Sequence, residues 1–331
     1  MDLDAYSQAH ADEWRRLEKL ARQRRLDGAE ADELVERYQS ASTDLSTLAT
    51  VHGRTLQGDH LSLALSRARL RFTGAPANPF RALTVFFAVQ LPAALYRIRW
   101  TSIVITLATA AIGVIYGVWF ATNPELFATL GPREYLQEYA EQEFVAYYSE
   151  SSEAAFAGQV WTNNALLAAQ CIMFGITGVY PVYLLFSNAQ GLGISAAVMH
   201  EFGRLDHFFL YIAPHGQLEL YAIFVAGAAG LLIFWSWIAP GARTRRQALA
   251  EDGRAFFTVV VGLALALLVS GIIEGFVTRQ DWPWPIKIGI GTVALAAFLV
   301  YQWVVGRRAA RAGERGDLSE AEAGARQIVS A

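Results

Sequence analysis

The chain has 331 residues, 54% of them apolar and 17% charged, with a net charge of -3. So low a charge density departs from soluble domains, and the near-neutral balance excludes bulk attraction to nucleic acid. The single Cys171 excludes an internal disulfide framework, and the polar, acidic first residues predict no cleavable signal peptide.

Residues 1–75 read as a soluble helical domain. The first helix carries Trp14, Leu17, Leu20 and Ala21 at helical spacing. Asp27 followed by Glu30 matches a capping box that starts a second helix through Leu34, Val35 and Tyr38. A third helix carries Leu61, Leu63, Leu65 and Leu70, and the run 74–79, rich in Gly, Ala and Pro, breaks the pattern. Apolar residues are sparse here, which predicts a small bundle with solvated arginines, packed on itself or on a partner.

Residues 76–99 read as a linker and an amphipathic helix. Phe80, Leu83, Phe86, Phe87, Leu91 and Leu95, with Pro92 among them and Arg81, Arg97 and Arg99 around them, suit a helix lying in the headgroup region. The alternative is an extension of the following span.

A transmembrane domain is expected over 100–305. Apolar runs at 100–120, 160–186, 214–238, 256–277 and 284–305 approach or exceed the ~20 residues that cross a bilayer. Between the first two, 121–159 carries Glu125, Glu134, Glu138, Glu141, Glu143, Glu150 and Glu153 against Arg133, the composition of an extracytoplasmic loop. The tail, 306–331, is polar and expected to be mobile.

Arginine bias sets orientation. Arg97 and Arg99, then Arg243, Arg245, Arg246 and Arg254, then Arg307, Arg308 and Arg311 each mark a cytoplasmic segment, and so cytoplasmic termini. Five spans cannot satisfy all three, so a sixth, polar crossing over 193–213 is inferred, carrying His200, Glu201, Arg204, Asp206 and His207. The rival is a five-span protein with the arginine linker outside. The fold class is therefore all-α: a polytopic membrane bundle of about six crossings, with an N-terminal helical domain and an interfacial helix.

Ionisable groups in hydrocarbon are costly and tend to be retained for a reason. His215 and Glu219 lie four residues apart on one helical face, behind Pro214, which suits a first-turn position. The six-crossing arrangement brings Glu274 into the same outer leaflet, beside Trp282 and Trp284. Three uses fit His215, Glu219 and Glu274: a structural tie between helices, handling of a proton or substrate, and a divalent metal. The structural use is favoured, because buried polar groups are usually satisfied partners, and neither a resident metal nor a cofactor is expected. His200, Glu201, Arg204, Asp206 and His207 form a second cluster, with Glu201 and Arg204 at ion-pair spacing; it reads either as an interfacial hairpin in water or as a polar lining. Asn163, Asn164, Asn188, Gly191, Gly193 and Gly216 suggest helix ends and turns. Gly175 with Gly178, and Gly227 with Gly230, suggest small-residue seams. No phosphate loop, nucleophile elbow or Cys-x-x-Cys pair occurs, and no enzymatic activity is expected.

Together these pieces resemble the stage II sporulation protein M family of bacterial membrane proteins, over roughly residues 80–305. The resemblance rests on Asn163-Asn164, Phe174-Gly175 with Gly178, Asn188-Ala189-Gln190-Gly191 with Gly193, and Pro214-His215-Gly216-Gln217-Leu218-Glu219 with Ile223, Gly227 and Gly230. Ile273-Glu274-Gly275-Phe276-Val277 is similar to the family's late glutamate motif. One departure is Ala189 where an Asn-Gly pair is usual, with the glycine displaced to Gly191. The resemblance implies a multi-pass protein of the bacterial cytoplasmic membrane that acts as a scaffold for peptidoglycan-remodelling enzymes, during engulfment in spore formers and in envelope maintenance elsewhere. Partners would be the lipid bilayer, envelope proteins and a second copy in a homodimer. The alternative function is an ABC-2-like permease subunit working with a separate cytoplasmic ATPase.

Overall fold

A computed structural model describes residues 3–23, 25–53, 55–73, 79–149, 152–314 and 316. Among them the secondary structure is helical throughout. The break at 74–78 and the tail beyond 316 fall outside the described residues. The chain forms two compact units, meeting in sequence between Ala82 and Leu83.

The N-terminal unit contains α1 (Leu3–Arg22), α2 (Gly28–His52) and α3 (Leu56–Thr73). The capping box is present in both directions: the Glu30 amide donates to Asp27 at 2.8 Å, and the Asp27 amide donates to Glu30 at 3.2 Å. Leu17, Leu20, Leu34, Ala41, Leu48, Leu61, Ala64, Leu65 and Ala68 form the core. Asp44 is buried among them and accepts from the Tyr6 hydroxyl and the Trp14 indole, each at 2.8 Å. Paired in this way, a carboxylate can be buried without an orphan acceptor.

The second unit contains α4 (Leu83–Arg97), α5 (Arg99–Thr122), α6 (Glu153–Met173), α7 (Val179–Glu201), α8 (Leu205–Ile238), α9 (Arg245–Thr278) and α10 (Trp284–Arg311). Five of these, α5 and α7 to α10, are long and apolar enough to cross a membrane. The sixth long helix, α6, is more polar, yet it runs the depth of the bundle. It lies parallel to α8, with the Cys171 carbonyl against Gly230, and antiparallel to α9, with Ala157 against Gly271 and the Trp161 indole donating to the Ala264 carbonyl at 2.9 Å.

Three boundaries differ from the sequence reading. The run 160–186 is not one span. It turns at Gly175–Thr177, where Gly178 adopts φ +66°, a left-handed value that glycine takes without strain. No crossing occupies 193–213 either: α7 ends at Glu201, and Gly203 at φ +71° reverses the chain into α8. A continuous apolar run conceals such turns, because hydropathy is insensitive to two glycines. Finally, α8 begins at Leu205, so Pro214 is interior and its missing N–H leaves the Leu210 carbonyl without its helical donor.

The apolar face of the second half of α4 meets protein. Leu91, Ala94, Leu95 and Ile98 are buried in the bundle core with Val225, Phe256, Val259 and Leu263. Phe80 and Leu83, before them, are exposed. Near the other terminus, α10 continues to Arg311, with Gly306 pressed on the Pro92 main chain, so the start of the tail is packed helix. Lipid supplies no hydrophobic drive between helices, so close approach at small residues matters more. Gly193 meets the Gly113 carbonyl, and Gly175 meets Gly230.

The two ends of the bundle differ in charge. At one end Asp252 pairs with Arg97 and with Arg243, and Arg99, Arg307, Arg308 and Arg311 line a groove with Trp303. At the other, residues 123–149 fold into a cap of short helices, including Arg133–Glu138, rather than a loose loop. Phe127, Leu136, Phe144 and Tyr148 of the cap pack on Phe120, Phe156 and Phe208.

Candidate functional site

The site is built where α8 meets the end of α9. The 3.6-residue repeat puts His215 and Glu219 on one face of α8. It also puts Ser270, Glu274 and Thr278, four residues apart in turn, on one face of α9. Glu274 and Thr278 belong to a π-helical turn, Ile273–Thr278, a widening that occurs often at functional sites. The two polar stripes face each other, with Asn164 of α6 at their edge and Tyr148 of the cap beyond.

Ligand-capable atoms of His215, Glu219 and Glu274 lie within 4.8 Å of one another. His215 and Glu274 are 5% and 4% exposed. His215 Nε2 stands 3.7 Å from Glu274 Oε1, and Nδ1 stands 3.4 Å from the Thr278 hydroxyl. Glu219 has firmer support: the Ser270 hydroxyl donates to its Oε2 at 3.2 Å, with the buried Asn164 side chain nearby. The Ser270 hydroxyl is also within reach of the His215 carbonyl, at 3.1 Å. The Tyr148 ring lies 6.1 Å from the imidazole, centroid to centroid. Burial, followed by the nearby Glu274 and Glu219 carboxylates, pushes the Tyr148 phenol far above its ordinary range.

Lys287 closes the site on the next helix. Its ammonium donates to the Thr278 and Gln280 carbonyls, each at 3.0 Å, and sits 3.2 Å from the Trp284 ring centroid. It thereby caps the end of α9. Trp284 in turn packs on Tyr211.

The second cluster lies elsewhere and is not a buried lining. His200 and Glu201 end α7, Arg204 is in the turn, and Asp206 and His207 open α8. Glu201 pairs with Arg133 of the cap at 2.9 Å, not with Arg204, because the helix ends before an i,i+3 contact can form. His207 Nδ1 is 3.1 Å from Asp206. These groups sit at a bundle end.

The proposed helix-end residues fall inside helices. Asn163 and Asn164 are in mid-α6; Asn164 turns inward to Glu219 and Asn163 outward. Asn188, Gly191 and Gly193 are in mid-α7, where Asn188 donates to the Leu184 carbonyl. Pro214 and Gly216 are interior to α8, and Gly291 of α10 abuts the Pro214 carbonyl. Ser270, Thr278 and Tyr148 were missed as site residues. The first two carried a legible signal, a polar residue every fourth position through an apolar helix; Tyr148 carried none, since the fold of the cap alone brings it in.

Helices of membrane-spanning length around a buried histidine–carboxylate cluster define a polytopic all-α membrane protein. The chain belongs to the stage II sporulation protein M family, whose description it matches over residues 106–279, more than half its length. Residues 4–74 match a domain of unknown function. No curated protein and no solved structure matches the chain.

Proposed function

We propose that this protein is a non-enzymatic scaffold of the bacterial cytoplasmic membrane that recruits peptidoglycan-remodelling and other envelope proteins through its cap. The observation that carries this reading is that the acidic segment is folded. Glu134, Glu138, Glu141 and Glu143 are exposed on helices anchored by Phe144, Tyr148 and the Arg133–Glu201 pair, with Tyr135 and Tyr147 exposed beside them. Tyrosine is enriched in recognition patches, where charged groups sit at the rim. Gathered arginines at the opposite end support a cytoplasmic placement for that end and an outside placement for the cap. Family membership supports a membrane role related to sporulation or the envelope.

A permease of ABC-2 type has less support. An amphipathic helix free at the interface ahead of the crossings would favour it, whereas Leu91, Ala94, Leu95 and Ile98 are buried in the bundle.

The test is site-specific photocrosslinking from Tyr135 and Tyr147 in living cells, followed by identification of captured wall hydrolases. The combined Glu134→Lys, Glu138→Lys and Glu141→Lys variant should reach the membrane in normal amounts and lose those adducts. Retention of the same adducts at wild-type yield would refute recruitment through the cap.

A further inference from the structure

We propose that His215, Glu219 and Glu274 bind one divalent transition-metal ion of the zinc class inside the bundle, joining α8 to α9. The inference does not depend on the scaffold reading.

The first support is geometric. Two helices direct one imidazole nitrogen and two carboxylates to a common point, with all three donor atoms within 4.8 Å. Nitrogen and carboxylate oxygen bind zinc at about 2.0–2.2 Å, which sets donors about 3–3.5 Å apart. Small side-chain rotations close that difference.

The second support is an unmet need. Glu274 is 4% exposed, and His215 is its one ion-pair partner among the described residues. The 3.7 Å separation exceeds hydrogen-bond reach. No arginine or lysine nitrogen among the described residues lies within 4.0 Å of Glu219 or Glu274. Lys287, close in sequence, is turned onto main-chain carbonyls instead. Two carboxylates in a dry interior without a fixed cation are costly, and a dication supplies the matching charge.

The third support is the surrounding shell. The Thr278 hydroxyl is placed to donate to the Ile273 carbonyl at 3.4 Å, which leaves its lone pair to accept from His215 Nδ1–H. A proton on Nδ1 would complete that chain and leave the Nε2 lone pair facing Glu274 and the common point. Ser270 orients Glu219. A second ring nitrogen hydrogen-bonded outward and a hydrogen-bonded carboxylate are the usual supports of metal ligands. Cys171, the one thiol, is buried against Gly230, away from the cluster, so the donor set is nitrogen and oxygen only. Three protein ligands leave a coordination position for water or a donor from a bound molecule.

The experiment uses the full chain, purified in detergent without chelator, exposed to Zn2+ and dialysed, with metal content read by mass spectrometry. The expected result is about one Zn2+ per chain. Glu274→Gln, nearly isosteric, and His215→Gln should weaken binding roughly tenfold or more while keeping the wild-type size-exclusion profile. His207→Ala, at the exposed turn, should bind as wild type does. If the first two variants fail to fold, the wild type alone decides: Zn2+ should raise its thermal midpoint, a strong chelator should lower it, and Co2+ should give visible ligand-field bands. Absence of stoichiometric metal together with no Zn2+-dependent stabilisation overturns the proposal, and points to shared protons instead. Metal retained by a folded Glu274→Gln and His215→Gln at wild-type affinity overturns it too.

Discussion

The Tyr221 hydroxyl donates to Gln302 Oε1 at 2.6 Å, and Nε2 of the same amide donates to the Leu95 carbonyl at 3.0 Å. Both side chains are buried, so one polar strand links α8, α10 and α4. Tyr221→Phe leaves the Gln302 oxygen buried without its donor, and should cost about 1 kcal/mol of unfolding free energy. Gln302→Ala also opens a cavity and should cost more, about 2–4 kcal/mol. Denaturant titration in mixed micelles measures both, and equal, wild-type midpoints would discredit the link.

Gly193 and Gly191 are two residues apart on α7, with opposite surroundings. A methyl group on Gly193 would strike the Gly113 carbonyl, whereas one on Gly191 meets nothing within 4 Å. Gly193→Ala should therefore destabilise by about 1–3 kcal/mol. Gly191→Ala should be neutral or stabilising by up to about 1 kcal/mol. The comparison is read as thermal midpoints in one detergent, and the reverse ranking would contradict the packing of α5 on α7.

Asn164 and Asn163 make a similar pair on α6. Asn164→Ala removes a buried amide beside Glu219 and should cost about 1–3 kcal/mol. Asn163→Ala, on the exposed side, should stay within ~0.5 kcal/mol of wild type. Equal costs would show that the pair does not distinguish inside from outside as described.

Asp252 is 2% exposed, while its partners Arg97 and Arg243 keep about a third of their side chains open to solvent. Removing the buried member should hurt more than removing either arginine. Asp252→Asn is expected to cost about 1–3 kcal/mol, and Arg97→Ala less than about 1, since Arg243 remains and water screens the rest. The ordering is checked by unfolding at low and high salt; an Arg97→Ala effect exceeding that of Asp252→Asn would count against it.

Six long helices in alternating directions place the turn at Gly175–Thr177 on the same side as the linker at Thr244, and the turn at Gly203 on the opposite side. In a Cys171→Ser background, single cysteines at Thr177 and Thr244 should react with an impermeant thiol reagent only after the membrane is opened. A cysteine at Arg204 should react in intact cells. Labelling of Thr177 and Arg204 from one side would remove α7 as a crossing.

Much of this was legible because its signals are periodic. The capping box at Asp27 and Glu30, the leucines of α1 to α3 and the apolar lengths of α5 and α8 to α10 follow local rules that one chain displays. The meeting of His215, Glu219 and Glu274 also followed, from arginine bias combined with helical facing. The turns at Gly178 and Gly203 did not, since a glycine within an apolar run can mark a seam or a reversal, and only the packing of α6 on α9 decides. Nor could the sequence place Leu91 to Ile98, because an amphipathic helix has the same pattern whether its apolar face meets lipid or protein. Asn164 was misjudged for a related reason: asparagine caps helices often, and its inward use here depends on a carboxylate fifty-five residues later.

The polar stripes on α8 and α9 also fix an azimuth. Each residue along a helix turns the side chain by about 100°, so rotating α8 about its axis by a single position would swing His215 and Glu219 off Glu274. Oily surfaces alone tolerate such slippage, because one greasy face resembles the next. The triad thus acts as the notch of a key, admitting one rotational setting of the two central helices.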